Sequence, residues 1–377
     1  MVSAARSFIV PTQGKNQSMP QPDSQGEPQR NWRLDALRGA GAISVAISHC
    51  ATVMSPLPLH RLAFWQVDPT SATDILLRAA HVIFNGSAAV LLFFVLSGHV
   101  LFVSLATISR RYPIEFAAYG TKRLFRIMPL LIISTLALAI LDNLPWRETI
   151  AYMLLLQPLG VTWTLQVEMI GSLLVFVALL AWRWRPATLT ALFVLTLVIS
   201  IAGYQNYLLR ALPAFLMGCA IGSISSPRRP ASGLFWAGII MLLLADLALG
   251  KGAVSQLLAV IGATFAIANA SAPAGRFLDA RVVQWTGRLS YSVYLLHPLG
   301  LPLAEQTYDA LGIDLHSLPP VVGFLLLVFL SLAITLPLAQ FAYRYIERPG
   351  IAAGRRLAHR LIERPKPMPA VGAANPS

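Results

Sequence analysis

Three side chains able to do acid–base chemistry share one face of an apolar run: Asp35, Arg38 and His49. At about 100° per residue, Arg38 and His49 are separated by about 1100°, roughly 20° past three full turns, and Asp35 to His49 spans about 1400°, roughly 40° short of four. On a helix His49 would stand roughly 16 Å beyond Arg38, towards the outer half of a membrane. Taken singly, Arg38 reads as a helix-end anchor paired with Asp35, and His49 as a buried histidine bonded to a carbonyl. Their common face favours a functional reading, since a neutral imidazole held by a carboxylate can take the proton of a hydroxyl near pH 7. A second group is Lys122-Arg123-Leu124-Phe125-Arg126. Arg123 and Arg126 are i, i+3, which places two planar guanidinium groups near one helical face, an arrangement suited to phosphates. The bland alternative, a basic cluster at the cytoplasmic end of a span, is equally open from spacing alone. A third is Trp163-Thr164-Leu165-Gln166-Val167-Glu168, which would set Glu168 about one turn into a span at a depth like that of His49. There it could orient His49, bind an acceptor hydroxyl, or satisfy a neighbouring helix.

The elements that must position these groups are legible in the composition. Of 377 residues, 56% are hydrophobic and 12% charged, with a mean hydropathy of +0.64. So few charges cannot cover a soluble protein of this size, and the long apolar runs between Leu34 and Tyr345 specify a polytopic helical membrane protein. The net charge of +13 is assigned to cytoplasmic loops rather than to nucleic-acid binding. Cys50 and Cys219 lie in apolar runs and read as small buried hydrophobes, with neither a disulfide nor a metal motif.

Ten spans are expected, near 34–54, 87–107, 126–141, 164–184, 187–203, 207–224, 233–249, 253–270, 289–305 and 320–345, in an all-α bundle with both termini cytoplasmic. Segment 149–160 is apolar but too short to cross, and is taken as re-entrant or interfacial. With this topology the inside segments hold 22 of the 29 Lys and Arg and the outside loops four, Arg61, Arg78, Arg147 and Lys251. Treating 149–160 as an eleventh span would invert every later loop and scatter the basic residues. Residues 1–32 read as a disordered cytoplasmic tail broken by prolines, 33–349 as the membrane domain, and 350–377 as a basic cytoplasmic tail that can touch anionic lipid. Loop 55–86 is the largest outside segment. Ser290, Tyr291, Tyr294 and His297 fall on or near the ninth span and read first as contacts between helices. Glu347-Arg348 reads as a helix-end ion pair.

Taken together these pieces resemble the acyltransferase-3 family of bacterial integral-membrane O-acyltransferases. The stretches that carry the resemblance are Arg33-Leu34-Asp35-Ala36-Leu37-Arg38-Gly39 with His49, Phe93-Phe94-Val95-Leu96-Ser97-Gly98, and Lys122-Arg123-Leu124-Phe125-Arg126-Ile127-Met128-Pro129. They continue with Trp163 to Glu168, Ser290-Tyr291-Ser292-Val293-Tyr294-Leu295-Leu296-His297-Pro298, and Tyr345-Ile346-Glu347-Arg348-Pro349. Each is weak alone; six in family order are specific. Two departures are His99, where relatives usually carry an apolar residue, and Thr164, where a serine is commoner.

The resemblance implies transfer of an acyl group, usually acetyl from cytoplasmic acetyl-CoA, to a carbohydrate hydroxyl, in the bacterial inner membrane. It places the arginine–histidine pair linked to catalysis on Arg38 and His49, and the acyl-CoA-associated Arg-x-x-Arg on Arg123 and Arg126. His49 is then expected to deprotonate the acceptor, oriented by Asp35 or Glu168, while Arg38 binds the thioester region or the oxyanion; a covalent acyl-His49 is the alternative. Ser97, His99, Trp163, Tyr291, Tyr294 and His297 are acceptor-side or structural candidates. No bound cofactor, metal or nucleic-acid partner is expected; acyl-CoA is a co-substrate, and the partners are the acceptor glycan and the bilayer. The acceptor is expected among exopolysaccharide, O-antigen, glucan and lipochitooligosaccharide. A proton-coupled transporter or exporter is the rival from another class, and a small-molecule acceptor such as an antibiotic the rival within it.

Overall fold

A computed structural model describes residues 31–55, 58–106, 112–203, 205–224, 229–247 and 252–362. Among them there is no strand. Thirteen α-helices follow in order: α1 Trp32–Met54, α2 Ala72–Ile83, α3 Gly86–Ala106, α4 Tyr112–Leu141, α5 Trp146–Met153, α6 Trp163–Trp184, α7 Pro186–Ala202, α8 Tyr207–Ser223, α9 Ser232–Leu247, α10 Ala253–Ala268, α11 Arg281–Ala310, α12 Pro320–Ala342 and α13 Arg348–Ile362.

Each of the ten expected apolar runs coincides largely with one of these helices. Five helical stretches are long and apolar enough to cross a bilayer: Trp32–Met54, Ala72–Ala106, Ile114–Leu141, Gly160–Trp184 and Pro320–Ile362. A sixth would be α10 taken with the 3-10 turn Pro273–Asp279, bent by 86° between them. Helices α7, α8 and α9 are apolar but shorter. The protein is a multi-pass helical membrane protein.

Three expectations change, and segment 149–160 takes a definite form. The short third span is the second half of a 30-residue helix, so Arg123 and Arg126 lie well inside α4 rather than at its start. Segment 149–160 forms no continuous helix: α5 stops at Met153, Leu155 sits in the left-handed region (φ 55°), and Gly160 follows at φ 49°. Loop 55–86 contains α2, whose Arg78 is fully buried and paired with Asp246 of α9 (2.7 Å). Its guanidinium also donates to the Asp246 carbonyl. The expected basic tail begins as α13, its buried Gly350, Gly354 and Ala358 lying four residues apart on one face. Of the expected N-terminal tail, residues 1–30 lie outside the described residues.

Glycines let the helices that carry the motifs approach closely. A Cβ on Gly287 of α11 would meet the Asp35 carbonyl of α1 at 2.6 Å, and one on Gly39 would meet the Gly287 backbone. Gly98 of α3 and Gly218 of α8 are reciprocal in the same way, each facing the other helix's backbone. Pro129 lacks the N–H that would bond the Phe125 carbonyl, and α13 passes that carbonyl at Gly350, where a Cβ would stand 2.5 Å from it. The start of α1 is clamped by Arg33. Its fork donates to both oxygens of Asp279 (2.8 and 2.6 Å) and to the carbonyls of Ala270 and Ala272 (3.1 and 3.0 Å).

Candidate functional site

The sequence-singled residues come together as two groups, one at each end of the Arg38–His49 interval. The first gathers around Glu168. Its Oε1 is 2.6 Å from Nη2 of Arg123 and accepts the Ser97 hydroxyl (2.9 Å). Helices α3, α4 and α6 therefore meet at a single carboxylate oxygen. Ser172, one turn on, donates to the Glu168 carbonyl (2.6 Å). Arg38 lies 3.6 Å from Asp35 and within electrostatic reach of Arg123, Arg126 and Glu168. Arg126 is exposed, whereas Arg123 is 12% exposed and Arg38 18%. Three guanidinium groups thus gather with two carboxylates, a net positive cluster suited to a polyanionic group. His99, the departure from the usual pattern, reaches the same group: its buried Nδ1 has no hydrogen-bond partner among the described residues and its ring lies in the field of Arg38. Tyr291 of α11 closes this side, donating to the Ile127 carbonyl of α4 (2.6 Å) within the field of Arg123, Arg126 and Glu168.

The second group surrounds His49. Its ring meets the ring of His297 edge to face, centroids 5.1 Å apart. His297 is 1% exposed, and neither ring nitrogen has a hydrogen-bond partner of good geometry among the described residues. Pro298 deprives the Tyr294 carbonyl of its helical donor, and that carbonyl lies beside the His297 imidazole. The Tyr294 ring stands 5.8 Å from that of His297; its hydroxyl accepts from Thr164 (2.9 Å) and donates to the Val161 carbonyl (3.2 Å). His49 itself is exposed.

The opening turns of α6 join the two groups. Thr164 reaches Tyr294, whose ring stands beside His297, and Glu168, one turn on, holds Arg123. Trp163 points to the other side, packing against Phe94 (6.2 Å) and Tyr207 (5.7 Å), with the Arg210 guanidinium over its ring (6.0 Å). The turn before α6 is pinned by Gln166, whose amide donates to the carbonyl of the left-handed Leu155 (3.0 Å) while its oxygen accepts Tyr207 (2.5 Å). The hydroxyl at Thr164 therefore does what a serine there would do, which is why that departure is tolerated.

Two of the expected roles change with this geometry. Because α1 is unbroken from Trp32 to Met54, Asp35 and His49 are roughly 21 Å apart along its axis, and Asp35 cannot touch the imidazole. Glu168 stands with Arg123 and Ser97 at the arginine end rather than at the depth of His49. The residue that the reading of single helices undervalued is His297, which belongs with His49. Its visible signal was the histidine before a proline, which frees a carbonyl inside a helix. Glu347, expected as a helix-end ion pair, is 3% exposed and accepts Ser292 of α11 (2.9 Å) at the π-turn Tyr343–Glu347.

A family model described as an acyltransferase domain matches residues 31–340, the whole interval that carries both groups. No curated protein and no solved structure is detectably similar. A match over that much of the chain, with every motif cluster inside it except the last, shows that this multi-pass membrane protein is an acyltransferase of the acyltransferase-3 family.

Proposed function

We propose that the protein transfers an acyl group, most simply acetyl from cytoplasmic acetyl-CoA, to a hydroxyl of a bacterial cell-surface or secreted glycan. The observation that carries this reading is the separation of two unlike groups along one helix: a cationic cluster about Arg38, Arg123 and Arg126, and an imidazole pair, His49 and His297, roughly 16 Å further along α1. A CoA ester is unlike at its two ends in the same sense, with phosphates at one and a neutral thioester at the other.

In this reading the chain crosses the inner membrane ten times with both termini in the cytoplasm, using the shorter apolar helices as well as the long ones. The arginine cluster faces inward and binds the donor phosphates. The unprotonated nitrogen of His49 takes the proton from the acceptor hydroxyl as its oxygen attacks the thioester carbonyl. The C–S bond then breaks, and the CoA sulfur leaves with the proton returned from the imidazolium. His297, packed against His49 in a dry setting, orients that ring. Arg38 neutralises charge on the donor side, and Glu168 holds Arg123 in place rather than touching the reacting atoms.

The test is the O-acetyl content of the host's glycans, read by NMR in wild type, in a deletion strain, and in the deletion carrying His49→Ala at matched membrane abundance. Acetyl lost on deletion and not restored by His49→Ala is the expected result. Unchanged acetylation in the deletion overturns the glycan acceptor, and full restoration by His49→Ala overturns the role of that imidazole.

A further inference from the structure

A separate pocket is lined by Trp163 but by neither His49 nor His297. It is built from the matching ends of five helices. Asn85 and Ser87 stand at the start of α3, Trp163 at the start of α6 and Tyr207 and Arg210 at the start of α8. Asp246 lies at the end of α9 and Ser255 and Gln256 at the start of α10. In the ten-span topology all of these ends are on the outer side.

Its polar groups divide into those already committed and those left open. Asp246 is tied to Arg78, and Asn85 donates to the Leu242 carbonyl (3.2 Å) and caps α3 at Ala88 (2.9 Å). These brace the wall. The side chains of Ser87, Ser255 and Gln256 have no hydrogen bond, and Arg210 no carboxylate, among the described residues, although all four line the cavity. Ser255 is only 8% exposed and Arg210 is half-buried, so their polar groups are open to the cavity and available to a ligand with matching groups. Three aromatic residues, Phe94, Trp163 and Tyr207, line the same cavity. Hydroxyl-matching groups together with aromatic rings suit a ligand with polar edges and an apolar C–H face, which is a saccharide ring. The guanidinium of Arg210, over the Trp163 ring and with no carboxylate partner among the described residues, adds a preference for one bearing negative charge.

We infer that this pocket is the acceptor subsite: it holds a sugar unit of the glycan, an anionic one by preference, and presents the chain across Trp163 to His49. This rests on the proposed glycan acyltransfer. Trp163 is the natural partition, because its neighbour Thr164 is already bonded to Tyr294 beside His297.

The experiment uses full-length protein in membrane vesicles with radiolabelled acetyl-CoA. The acceptor probe is a pool of oligosaccharides from the host's extracellular and lipid-linked glycans, stripped of esters by alkali. Wild type is compared with Arg210→Ala, Arg210→Lys and Gln256→Ala. The expected result is a five- to twentyfold rise in the saccharide concentration giving half-maximal transfer for Arg210→Ala and Gln256→Ala. Half-saturation by acetyl-CoA should be unchanged, and Arg210→Lys should recover at least half of the loss. Unaltered saccharide dependence in both alanine variants, with wild type active, overturns the subsite and leaves the acyltransfer standing. A shift in acetyl-CoA half-saturation instead marks the pocket as donor-side and also overturns it. Phospholipid that co-purifies with wild type and is lost in Arg210→Ala, with saccharide dependence untouched, overturns it in favour of a lipid occupant. No transfer by wild type to any saccharide in the pool removes the glycan reading and this inference with it. Thermal melting of each variant within about 2 °C of wild type separates loss of binding from loss of fold.

Discussion

Glu168 of α6 and Arg123 of α4 form a 2.6 Å ion pair at a carboxylate oxygen that also accepts Ser97 of α3. That one oxygen ties three motif-bearing helices together, so its removal has a structural and a functional consequence that can be separated. Taking away one partner of a mostly buried pair strands a charge, at about 3–5 kcal/mol, whereas replacing both with apolar groups of similar volume is often neutral; the partial exposure of both side chains (12% and 26%) places the loss at the low end of that range. We expect Glu168→Ala to lower both melting temperature and transfer rate. Arg123→Met combined with Glu168→Met should restore the melting temperature and leave transfer at least tenfold down. Recovery of activity together with stability in the double variant would show the pair to be scaffold alone.

The histidine pair calls for a different readout, because His49 is exposed and its removal costs little packing. General-base catalysis contributes typically about 10²–10⁴-fold, and we expect His49→Ala to lower the transfer rate by that order at normal abundance and normal melting. A working base must be unprotonated, so wild-type rate should fall as pH drops through the titration of His49. The residual rate of His49→Ala should be flat over the same window. His297→Gln keeps volume and polarity but changes the ring that His49 packs against. It should move the acid limb of the wild-type profile while leaving acetyl-CoA half-saturation in place.

Much of this arrangement could be read from residue order, and the rest could not for a physical reason. Helical periodicity places Asp35, Arg38 and His49 on one face, and apolar length places the ten runs that became helices. Periodicity describes one helix at a time. It is silent on which helix α6 packs against, so it leaves Glu168 open between orienting His49, binding an acceptor and satisfying a neighbouring helix, and only the packing shows that its partner is Arg123. The distance from Asp35 to His49 was already implied by the rise per residue, yet a common face is easily taken for a common place. Arg78 was counted as a loop charge because α2 looked like outside sequence; its partner Asp246 is 168 residues away, beyond the reach of any local pattern. His297 was visible as a residue and as a motif, but its pairing with His49 belongs to the α1–α11 crossing.

That crossing supplies its own prediction. Gly39 and Gly287 each face the other helix's backbone, with the Asp35 carbonyl 2.6 Å from where a Gly287 Cβ would stand. Neither a backbone segment nor a helix of this length can shift by rotating a side chain, so an added methyl must push α1 from α11. We expect Gly287→Ala to be destabilising by about 1–3 kcal/mol, in the range for overpacking, and to weaken transfer through loss of the His49–His297 contact. Gly120, with nothing within 4 Å of its Cβ position, is the matched control: Gly120→Ala should stabilise α4 slightly and leave transfer unchanged. Equal melting temperatures for Gly287→Ala and Gly120→Ala would contradict the close crossing.

The buried pair of Arg78 and Asp246 tests whether the segment between α1 and α3 belongs to the folded core. Arg78 is 0% exposed and Asp246 side chain 8%, and the Arg78 guanidinium also donates to the Asp246 carbonyl, so α2 is fastened to the end of α9 by charge as well as by packing. A lone buried guanidinium is far costlier than a lone carboxylic acid, which can protonate and become neutral. The two single variants are therefore unequal. Asp246→Ala, which leaves Arg78 charged and unpaired, should lower abundance and melting temperature more than Arg78→Met, which leaves a carboxyl free to take up a proton. The sign with pH follows: Arg78→Met should be relatively more stable at pH 5 than at pH 8, since acid neutralises an Asp246 carboxylate that has lost its guanidinium, and Asp246→Ala should show no such gain. Differential scanning of the two variants in detergent at both pH values checks this. Because Asp246 also lines the proposed acceptor pocket, Arg78→Met at pH 5 is the variant in which the brace is gone and Arg210 remains, and its saccharide half-saturation reports how far the subsite depends on a rigid wall.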